Sequence, residues 1–289
     1  MKEDKVDLVM WTKNGEAFLP MVLKRIDKVV PSESISNKIM VDDASTDGTV
    51  KIGKSYNWEI YQNPEGGVSS GANEALRHVG SRRFVSVEQD LVLAENWWEK
   101  IPPLLRDGKV VAASGVRVPD MPVALRRIGE YTNQRYFQEM KTDPGFRYGK
   151  TIDNTIYRTE LMRKIGGFPR LRINAGVDTA LAKKISDSGC FWKVDFNVKS
   201  IHLRQGFVNE LRHGYWYGKE SVVLSKELEE EPLLASMFAR TLFSPLRGLQ
   251  IAYNKMCWQI SLAYPLMRLS TFLGVLRGFS NQRFESAKN

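Results

Sequence analysis

Short apolar runs alternate with amphipathic or turn-forming segments over about the first 120 residues, and this alternation constrains the fold more than any other feature. Each run is four to six residues long, which is the length of a buried strand. Such alternation is typical of successive βα units around a mostly parallel sheet flanked by helices, an α/β fold. The sequence therefore predicts strands at residues 6–11, 38–41, 58–61, 83–87 and 110–114, and helices at 16–30 and 68–78.

The remainder of the chain changes character twice. Residues 119–150 have weak periodicity and predict a helix followed by a loop, and residues 151–204 predict short strands flanking a helix at 177–188. From residue 233 onward Leu, Met, Phe and Trp dominate, with basic residues between them. We therefore expect a first domain at 1–205, made of halves 1–118 and 119–205, and a helical C-terminal region at 206–289.

Charge and cysteine content narrow the functional classes. The chain has 42 Lys and Arg against 33 Asp and Glu, a net charge of +9, which favours an anionic partner such as a phosphate ligand, an acidic membrane or nucleic acid. Two distant cysteines, Cys190 and Cys257, exclude a disulfide scaffold and a zinc ribbon and fit a reducing compartment. The first residues do not resemble a signal peptide, so we expect a cytoplasmic location.

The C-terminal region carries the apolar character of a membrane-associated segment but lacks the length of a spanning one. Its longest uncharged stretch, residues 256–267, has twelve residues, whereas a spanning helix needs about 20. Residues 233–289 contain seven basic residues and a single acidic one. This composition predicts amphipathic helices lying peripherally on the anionic inner face of the membrane. The alternatives are helices that cover the first domain or that form an oligomer interface.

Polar side chains follow three of the predicted strands at the point where each strand ends. These segments are Thr12-Lys13-Asn14, Asp42-Asp43 and Glu88-Gln89-Asp90. In an open α/β sheet, ligands bind outside the carboxyl ends of the strands. Clustered carboxylates repel one another unless a cation offsets them, and Mg²⁺ or Mn²⁺ with a diphosphate satisfies that need. The glycine fingerprint of dinucleotide sites and the phosphate-binding P-loop are both missing, which disfavours an NAD enzyme or an ATPase.

An ordered set of segments over residues 5–205 resembles family 2 glycosyltransferases of the GT-A fold. Residues 41–49 resemble the V-D-D-x-S-x-D-x-T segment, residues 66–73 the G-G-x-x-x-A-x-N helix entry, and Glu88-Gln89-Asp90 stands where D-x-D is expected. Residues 166–168 and 176–182 resemble G-G-F followed by x-E-D-x-x-L, and residues 201–203 resemble the late histidine element. The sequence departs from these patterns at Glu88 and at Val177, where an acid is usual.

The resemblance implies a GT-A Rossmann-like fold in which residues 1–118 bind the nucleotide and residues 119–205 face the acceptor. Asp43 would accept a hydrogen bond from the imino group of the base, which uracil and guanine both offer, so the donor is UDP- or GDP-linked. Asp90 and His202 would bind Mn²⁺ or Mg²⁺. The residues implied on the nucleotide side are Trp11, Thr12, Glu16, Asp42, Asp43, Asn73, Glu88 and Gln89.

Asp178 aligns with the general base of inverting members. A single carboxylate there would take the proton of an acceptor hydroxyl while its oxygen attacks the anomeric carbon. If the acceptor is an ionised lipid phosphate, the carboxylate would only orient it. A helix cap is the structural alternative for Asp178, and a buried structural histidine is the alternative for His202.

These observations predict an inverting, metal-dependent glycosyltransferase that acts on a lipid-linked or membrane-proximal acceptor, such as a polyprenyl phosphate or a cell-envelope glycan. The first alternative is the same chemistry on a soluble glycan or protein, with the C-terminal region forming a homo-oligomer. A nucleotidyltransferase would also use a metal and strand-end carboxylates, but Asp178 and His202 argue against it. Nucleic-acid binding is disfavoured because an acidic cleft repels phosphate backbones.

Overall fold

The computed structural model describes residues 5–120, 122–143, 145–203, 206–228, 230 and 234–286, with side chains as far as residue 281. The chain divides into two compact units. The first consists of residues 1–118, 135–170 and 177–203, and the second of residues 119–134, 171–176 and 204–289. The second unit therefore begins its final segment close to the boundary expected at residue 205, but it also includes two short segments from the preceding half of the chain.

The first unit is built on an eight-stranded sheet. Its strands are β1 (Val6–Thr12), β2 (Ile35–Asp42), β3 (Glu59–Gln62), β4 (Arg83–Val87), β5 (Leu91–Val92), β6 (Val110–Pro119), β7 (Asn154–Arg158) and β8 (Phe191–His202). Their order across the sheet is β3-β2-β1-β4-β7-β6-β8-β5. The strands β3, β2, β1 and β4 run parallel, whereas β7 is antiparallel to both β4 and β6, and β5 is antiparallel to β8. The predicted mixed α/β fold is confirmed.

Eleven helices are described. They are α1 (Leu19–Val29), α2 (Thr49–Ser55), α3 (Gly67–His78), α4 (Trp97–Lys100), α5 (Val123–Thr142), α6 (Thr159–Lys164), α7 (Val177–Asp187), α8 (Gly206–Glu227), α9 (Leu234–Leu242), α10 (Ser244–Asn254) and α11 (Ile260–Ser286). Short 3-10 helices occupy Ser32–Ser34 and Pro102–Arg106.

The parallel strands form the core because both faces of the sheet are covered. Every residue of β1 is buried, and Leu19, Val22 and Ile26 of α1 pack in the same hydrophobic cluster as Leu8 and Met10. The helix α1 begins three residues later than the expected residue 16, because residues 15–18 form a turn in which the Gly15 carbonyl accepts two backbone N–H groups.

Two elements are longer than the sequence predicts. The strand β6 continues to Pro119 instead of ending at residue 114, and β8 is a single strand of twelve residues. The weakly periodic segment that follows Pro119 folds into the 20-residue helix α5. The apolar pattern is weak in α5 and β8 because many of their residues are exposed or only partly buried.

The second unit is helical, and its two longest helices approach each other through glycines. A Cβ built on Gly218 of α8 would lie 2.0 Å from the Thr271 carbonyl oxygen of α11, and one built on Gly274 would lie 2.0 Å from the Tyr215 carbonyl oxygen. Pro265 lies within α11 and does not end it. Among the described residues, no helix is long and apolar enough to cross a membrane.

Candidate active site

Three side chains with metal-ligating atoms converge where β4 and β8 end. Glu88 and Asp90 follow β4, and His202 is the last residue of β8. The strand pairing places Leu91 opposite His202, and the Leu203 N–H donates to the Asp90 carbonyl (2.8 Å). His202 Nε2 therefore lies 3.2 Å from Asp90 Oδ2, and one ligand atom from each of the three side chains lies within 4.8 Å of the other two. The oxygen and imidazole donors of this cluster suit a divalent cation such as Mn²⁺.

The electrostatics of the cluster favour a cation. Burial raises the pKa of Glu88 well above its usual range, and the carboxylates of Asp153 and Asp90 raise it further. Burial alone would also raise the pKa of Asp153, but the Arg117 guanidinium and the His202 ring outweigh it, so this pKa is lowered. A divalent cation would relieve the repulsion among the carboxylates.

Asp178 occupies the first turn of α7 in the same unit. The Thr179 N–H donates to its Oδ1 (2.9 Å), and Arg117 Nη2 lies 3.8 Å from its Oδ2. Burial raises the pKa of Asp178, with a further contribution from Asp153, while Arg117 and the Thr179 N–H oppose this rise. Its side chain remains 15% exposed.

The acidic doublet after β2 separates into two different environments. Asp42 is buried, and its Oδ2 accepts the Ser45 N–H (2.9 Å), which fixes the turn. Asp43 is partly exposed and accepts hydrogen bonds from Lys13 Nζ (3.0 Å) and from the Gly67 N–H (3.3 Å). Asp43 is therefore the member of the pair that can meet a ligand, whereas Asp42 shapes the loop.

Two further residues predicted to bind nucleotide support the same loop. Thr12 is buried, and its hydroxyl donates to Asp42 Oδ1 (3.3 Å). Glu16 Oε2 accepts the Gly48 N–H (2.8 Å), and the Glu16 N–H donates to Asp47 Oδ2 (3.1 Å). Both side chains hold the loop that follows β2 against the loop that follows β1.

Gln89 ties together the loops that follow β1 and β4. Its Nε2 donates to the Lys13 carbonyl and its Oε1 accepts the Lys13 N–H, both at 2.9 Å. The amide therefore fixes the position of this loop through the Lys13 backbone. The predicted nucleotide contact of Gln89 stays a prediction.

Trp11 and Asn73 meet the Gly-Gly-Phe segment. Trp11 is buried edge-on to Phe168 (5.9 Å between ring centroids), and its indole N–H has no hydrogen-bond partner among the described residues. Asn73 Nδ2 donates to the Phe168 carbonyl (3.0 Å) and to the Ser69 carbonyl (2.9 Å), and its Oδ1 accepts the Phe168 N–H (3.0 Å). These bonds occupy both ends of the amide. Asn73 therefore links α3 to residues 166–168, and its predicted nucleotide contact stays a prediction.

Sequence reasoning missed Arg117 and Asp153. Arg117 Nη1 donates to Asp153 Oδ2 (3.1 Å), and Asp153 is completely buried. Asp153 directly precedes β7, whose first residue, Asn154, pairs with Val87 of β4. Because β7 is antiparallel, it begins at the edge of the sheet where β4 ends. The available signal was a carboxylate directly before a predicted strand. It places Asp153 at the site only if that strand is known to run antiparallel to β4.

Comparison with known proteins agrees with this geometry. The family model "Glycosyl transferase family 2" matches residues 7–166. No curated protein matches the chain in sequence. Among solved structures, the chain is similar to a mannosyltransferase, PcManGT from Pyrobaculum calidifontis, in complex with GDP-Man and Mn²⁺ (TM-score 0.66, 16% identity, 96% of this chain and 87% of that chain). It is also similar to glucosyl-3-phosphoglycerate synthase from Mycobacterium tuberculosis, in complex with Mn²⁺, UDP and glucosyl-3-phosphoglycerate (TM-score 0.55, 14% identity, 80% and 82% covered).

The mixed sheet, with its acidic cluster at the strand ends, is a GT-A glycosyltransferase fold. The match covers more than half of the chain, and the chain belongs to glycosyl transferase family 2.

Proposed function

We propose that this glycosyltransferase transfers a sugar, with inversion, from a UDP- or GDP-linked donor in a reaction that depends on Mn²⁺ or Mg²⁺. The observation that carries the proposal is the convergence of Glu88, Asp90 and His202 within 4.8 Å, with Asp178 in the same unit. Mn²⁺ occurs with GDP-Man in the complex of the mannosyltransferase and with UDP in that of the synthase. These complexes support a metal-dependent reaction but do not distinguish a UDP-linked from a GDP-linked donor.

Asp90 and His202 would hold the metal ion. Their contact across the β5–β8 pair keeps both ligands in place. When bound, the ion supplies positive charge that offsets the diphosphate of the departing nucleotide. The longer side chain of Glu88 reaches the same cluster and completes the carboxylate set, or contacts the donor sugar or ribose.

Asp43 would recognise the nucleotide base through its imino group. The carboxylate lies at the end of β2, and the Gly67 N–H orients it. Trp11, Thr12, Glu16, Asp42 and Gln89 support the walls of this pocket through the contacts described above. Lys13 pairs with Asp43 (3.0 Å), so base binding must displace or share this contact.

Asp178 would act as the general base. Its ionised carboxylate takes the proton from the acceptor hydroxyl as the hydroxyl oxygen attacks the anomeric carbon from the face opposite the leaving group. Burial and the Arg117 guanidinium act in opposite directions on its pKa. Because burial prevails and the pKa is raised, the base is stronger than an ordinary aspartate.

The second unit would bring the enzyme to a membrane-proximal, lipid-linked acceptor. Tyr253, Met256 and Trp258 are 86%, 89% and 75% exposed, although all three are large and apolar or amphipathic. They occupy or flank the turn between α10 and α11, beside the basic residue Lys255. Aromatic side chains beside a cation are typical of the membrane–water interface, and the cytoplasmic leaflet is negatively charged. This favours peripheral attachment at that face.

Ligand-dependent unfolding tests the proposed chemistry. The melting temperature of the full chain is measured with UDP, GDP, UDP-glucose or GDP-mannose, each with and without Mn²⁺. We expect stabilisation by one nucleotide class only when Mn²⁺ is present. Asp90→Ala should abolish this effect, whereas Asp178→Asn should retain it. Equal stabilisation of the wild type and Asp90→Ala would contradict the metal assignment.

Vesicle co-sedimentation tests the membrane surface. The full chain should bind vesicles containing phosphatidylglycerol more tightly than vesicles of phosphatidylcholine alone. Replacing Tyr253, Met256 and Trp258 together by serine should weaken this binding by more than about tenfold, since three exposed side chains lose their contact with the bilayer. Met21→Ser, at a residue 56% exposed in the first unit, is the matched control.

Two results would contradict the membrane proposal. Unchanged vesicle binding by the triple variant would exclude this turn as the attachment site. The second result is that the wild-type chain does not bind vesicles but forms a dimer, and that the triple variant is monomeric. This result would favour the oligomer interface and a soluble acceptor.

A further inference from the structure

Arg117 stands between two carboxylates. It lies in β6, and its guanidinium contacts Asp153 Oδ2 through Nη1 (3.1 Å) and approaches Asp178 Oδ2 through Nη2 (3.8 Å). The two carboxylates come from different elements, the segment before β7 and the first turn of α7. Arg117 therefore connects the candidate base to a fixed point of the sheet.

Asp153 makes that point rigid. It is completely buried, and burying a carboxylate is costly unless a cation and hydrogen bonds compensate for the lost water. Arg117 supplies the largest compensating charge, so moving the guanidinium away would break the ion pair of a buried carboxylate. The planar fork of arginine also suits this task, because its two nitrogens can serve two acceptors in one fixed geometry.

Donors from two directions constrain Asp178. The Thr179 N–H donates to Oδ1 (2.9 Å), while Arg117 faces Oδ2. The other titratable groups that face it are Asp153 and, from β7, Tyr157, whose pKa the charge of Asp178 helps to raise. Arg117 carries the positive charge that faces both the Asp153 and the Asp178 carboxylates.

We propose that Arg117, anchored on Asp153, is a positioning residue that aims the Asp178 carboxylate at the acceptor. This inference rests on the proposed function of Asp178 as general base. The 3.8 Å separation leaves Oδ2 able to accept a proton from a substrate hydroxyl, whereas a shorter ion pair would compete for it. Without the guanidinium, the negative charge of Asp178 would face that of Asp153 with no cation between them. The Asp178 side chain would also lose one of its two contacts, leaving only the Thr179 N–H.

The test compares Arg117→Gln, Arg117→Lys and the control Arg77→Gln, which removes an exposed arginine paired with Glu74. The first readout is release of nucleoside diphosphate from UDP-glucose or GDP-mannose with Mn²⁺, water serving as acceptor. For Arg117→Gln we expect kcat to fall at least tenfold with little change in donor KM, and the acid limb of the pH profile to move up by about one unit. In Arg117→Lys the acid limb should return to its wild-type pH, whereas kcat should recover only in part.

A second readout needs no turnover. In protein labelled with ¹³C at the aspartate carboxyl carbons, the Asp178 signal is identified by its loss in Asp178→Asn. Its titration midpoint should rise in Arg117→Gln and return toward the wild-type value in Arg117→Lys.

An unchanged midpoint together with an unchanged acid limb would overturn the proposal, as would a loss confined to donor KM. A wild-type chain that neither binds nucleotide with Mn²⁺ nor releases diphosphate would refute the proposed function instead. In that case the carboxyl titration still decides whether Arg117 controls Asp178.

Discussion

The close approach of α8 and α11 makes Gly274→Ala a sharp test of how the second unit is built. The added Cβ would lie 2.0 Å from the Tyr215 carbonyl oxygen, whereas ordinary van der Waals contact begins at 3.4 Å. The obstructing atom belongs to a helix backbone, so no side-chain rotation can relieve the overlap. The helices must move apart by about 1.4 Å, and a gap of ~0.5–1 Å already removes a quarter to a half of the dispersion energy of the atoms facing it.

The expected loss follows from two opposing effects. Overpacking costs about 1–3 kcal/mol, and a backbone clash belongs at the upper end of that range. Alanine is favoured over glycine within a helix by about 1 kcal/mol, which offsets part of the cost. We therefore expect Gly274→Ala to lose about 2 kcal/mol and to lower the melting temperature by about 4–8 °C.

Thermal unfolding followed by circular dichroism measures this shift, and two other glycines calibrate it. A Cβ on Gly214 would lie 3.2 Å from the Thr271 hydroxyl and at ordinary contact distance, 3.8 Å, from the Met267 carbonyl oxygen, so Gly214→Ala should be nearly neutral. A Cβ on Gly108 would meet no atom of the described residues within 4 Å, so Gly108→Ala controls for the substitution itself. A melting temperature of Gly274→Ala equal to or above that of Gly214→Ala would refute the described packing.

Three further predictions concern the site. Asp178→Asn should lower kcat by about 10²–10⁴-fold with unchanged nucleotide affinity. In the wild type, the acid limb of the pH–rate profile should lie above the usual aspartate range, because burial raises the pKa of Asp178. A pH–rate profile of each protein measures both effects. Asp43→Ala should weaken nucleoside diphosphate binding at least tenfold in calorimetric titrations with Mn²⁺, while inorganic diphosphate binding stays unchanged. Asn73→Ala should lower the free energy of unfolding, measured in urea, by about 1–3 kcal/mol, because its amide binds Phe168. At urea concentrations where the variant is folded, its nucleotide affinity should equal that of the wild type. A selective loss of nucleotide affinity would instead support its predicted role.

The sequence predicted the site best where sheet geometry alone decides position. The carboxyl ends of parallel strands meet at one edge, so the segments after β1, β2 and β4 had to lie together. His202 joined them because β8 ends beside Asp90, which a motif match anticipates but periodicity does not. Asp153 escaped notice because its position depends on β7 running antiparallel, and strand direction is not encoded in a five-residue apolar run.

The position of a residue within a motif predicts its contacts less well than the direction of its side chain does. Gln89 and Asn73 occupy the expected segments, yet each amide bonds to a distant stretch of backbone, at Lys13 and Phe168 respectively. An amide offers both a donor and an acceptor, so it can close such a two-point contact with a peptide group, which an aspartate cannot. These residues hold loops in place, and a motif alone cannot separate that function from ligand contact.

The glycine contacts also bear on the apolar surface of the second unit. Glycines line the α8–α11 interface, so the backbones touch and no large side chain fits between them at those positions. Leu262, Leu269 and Leu273 of α11 are exposed. Under the membrane proposal these leucines would contact the lipid surface, whereas under the oligomer alternative a second copy of the chain would cover them. Vesicle binding and dimerisation of the wild-type chain distinguish the two outcomes.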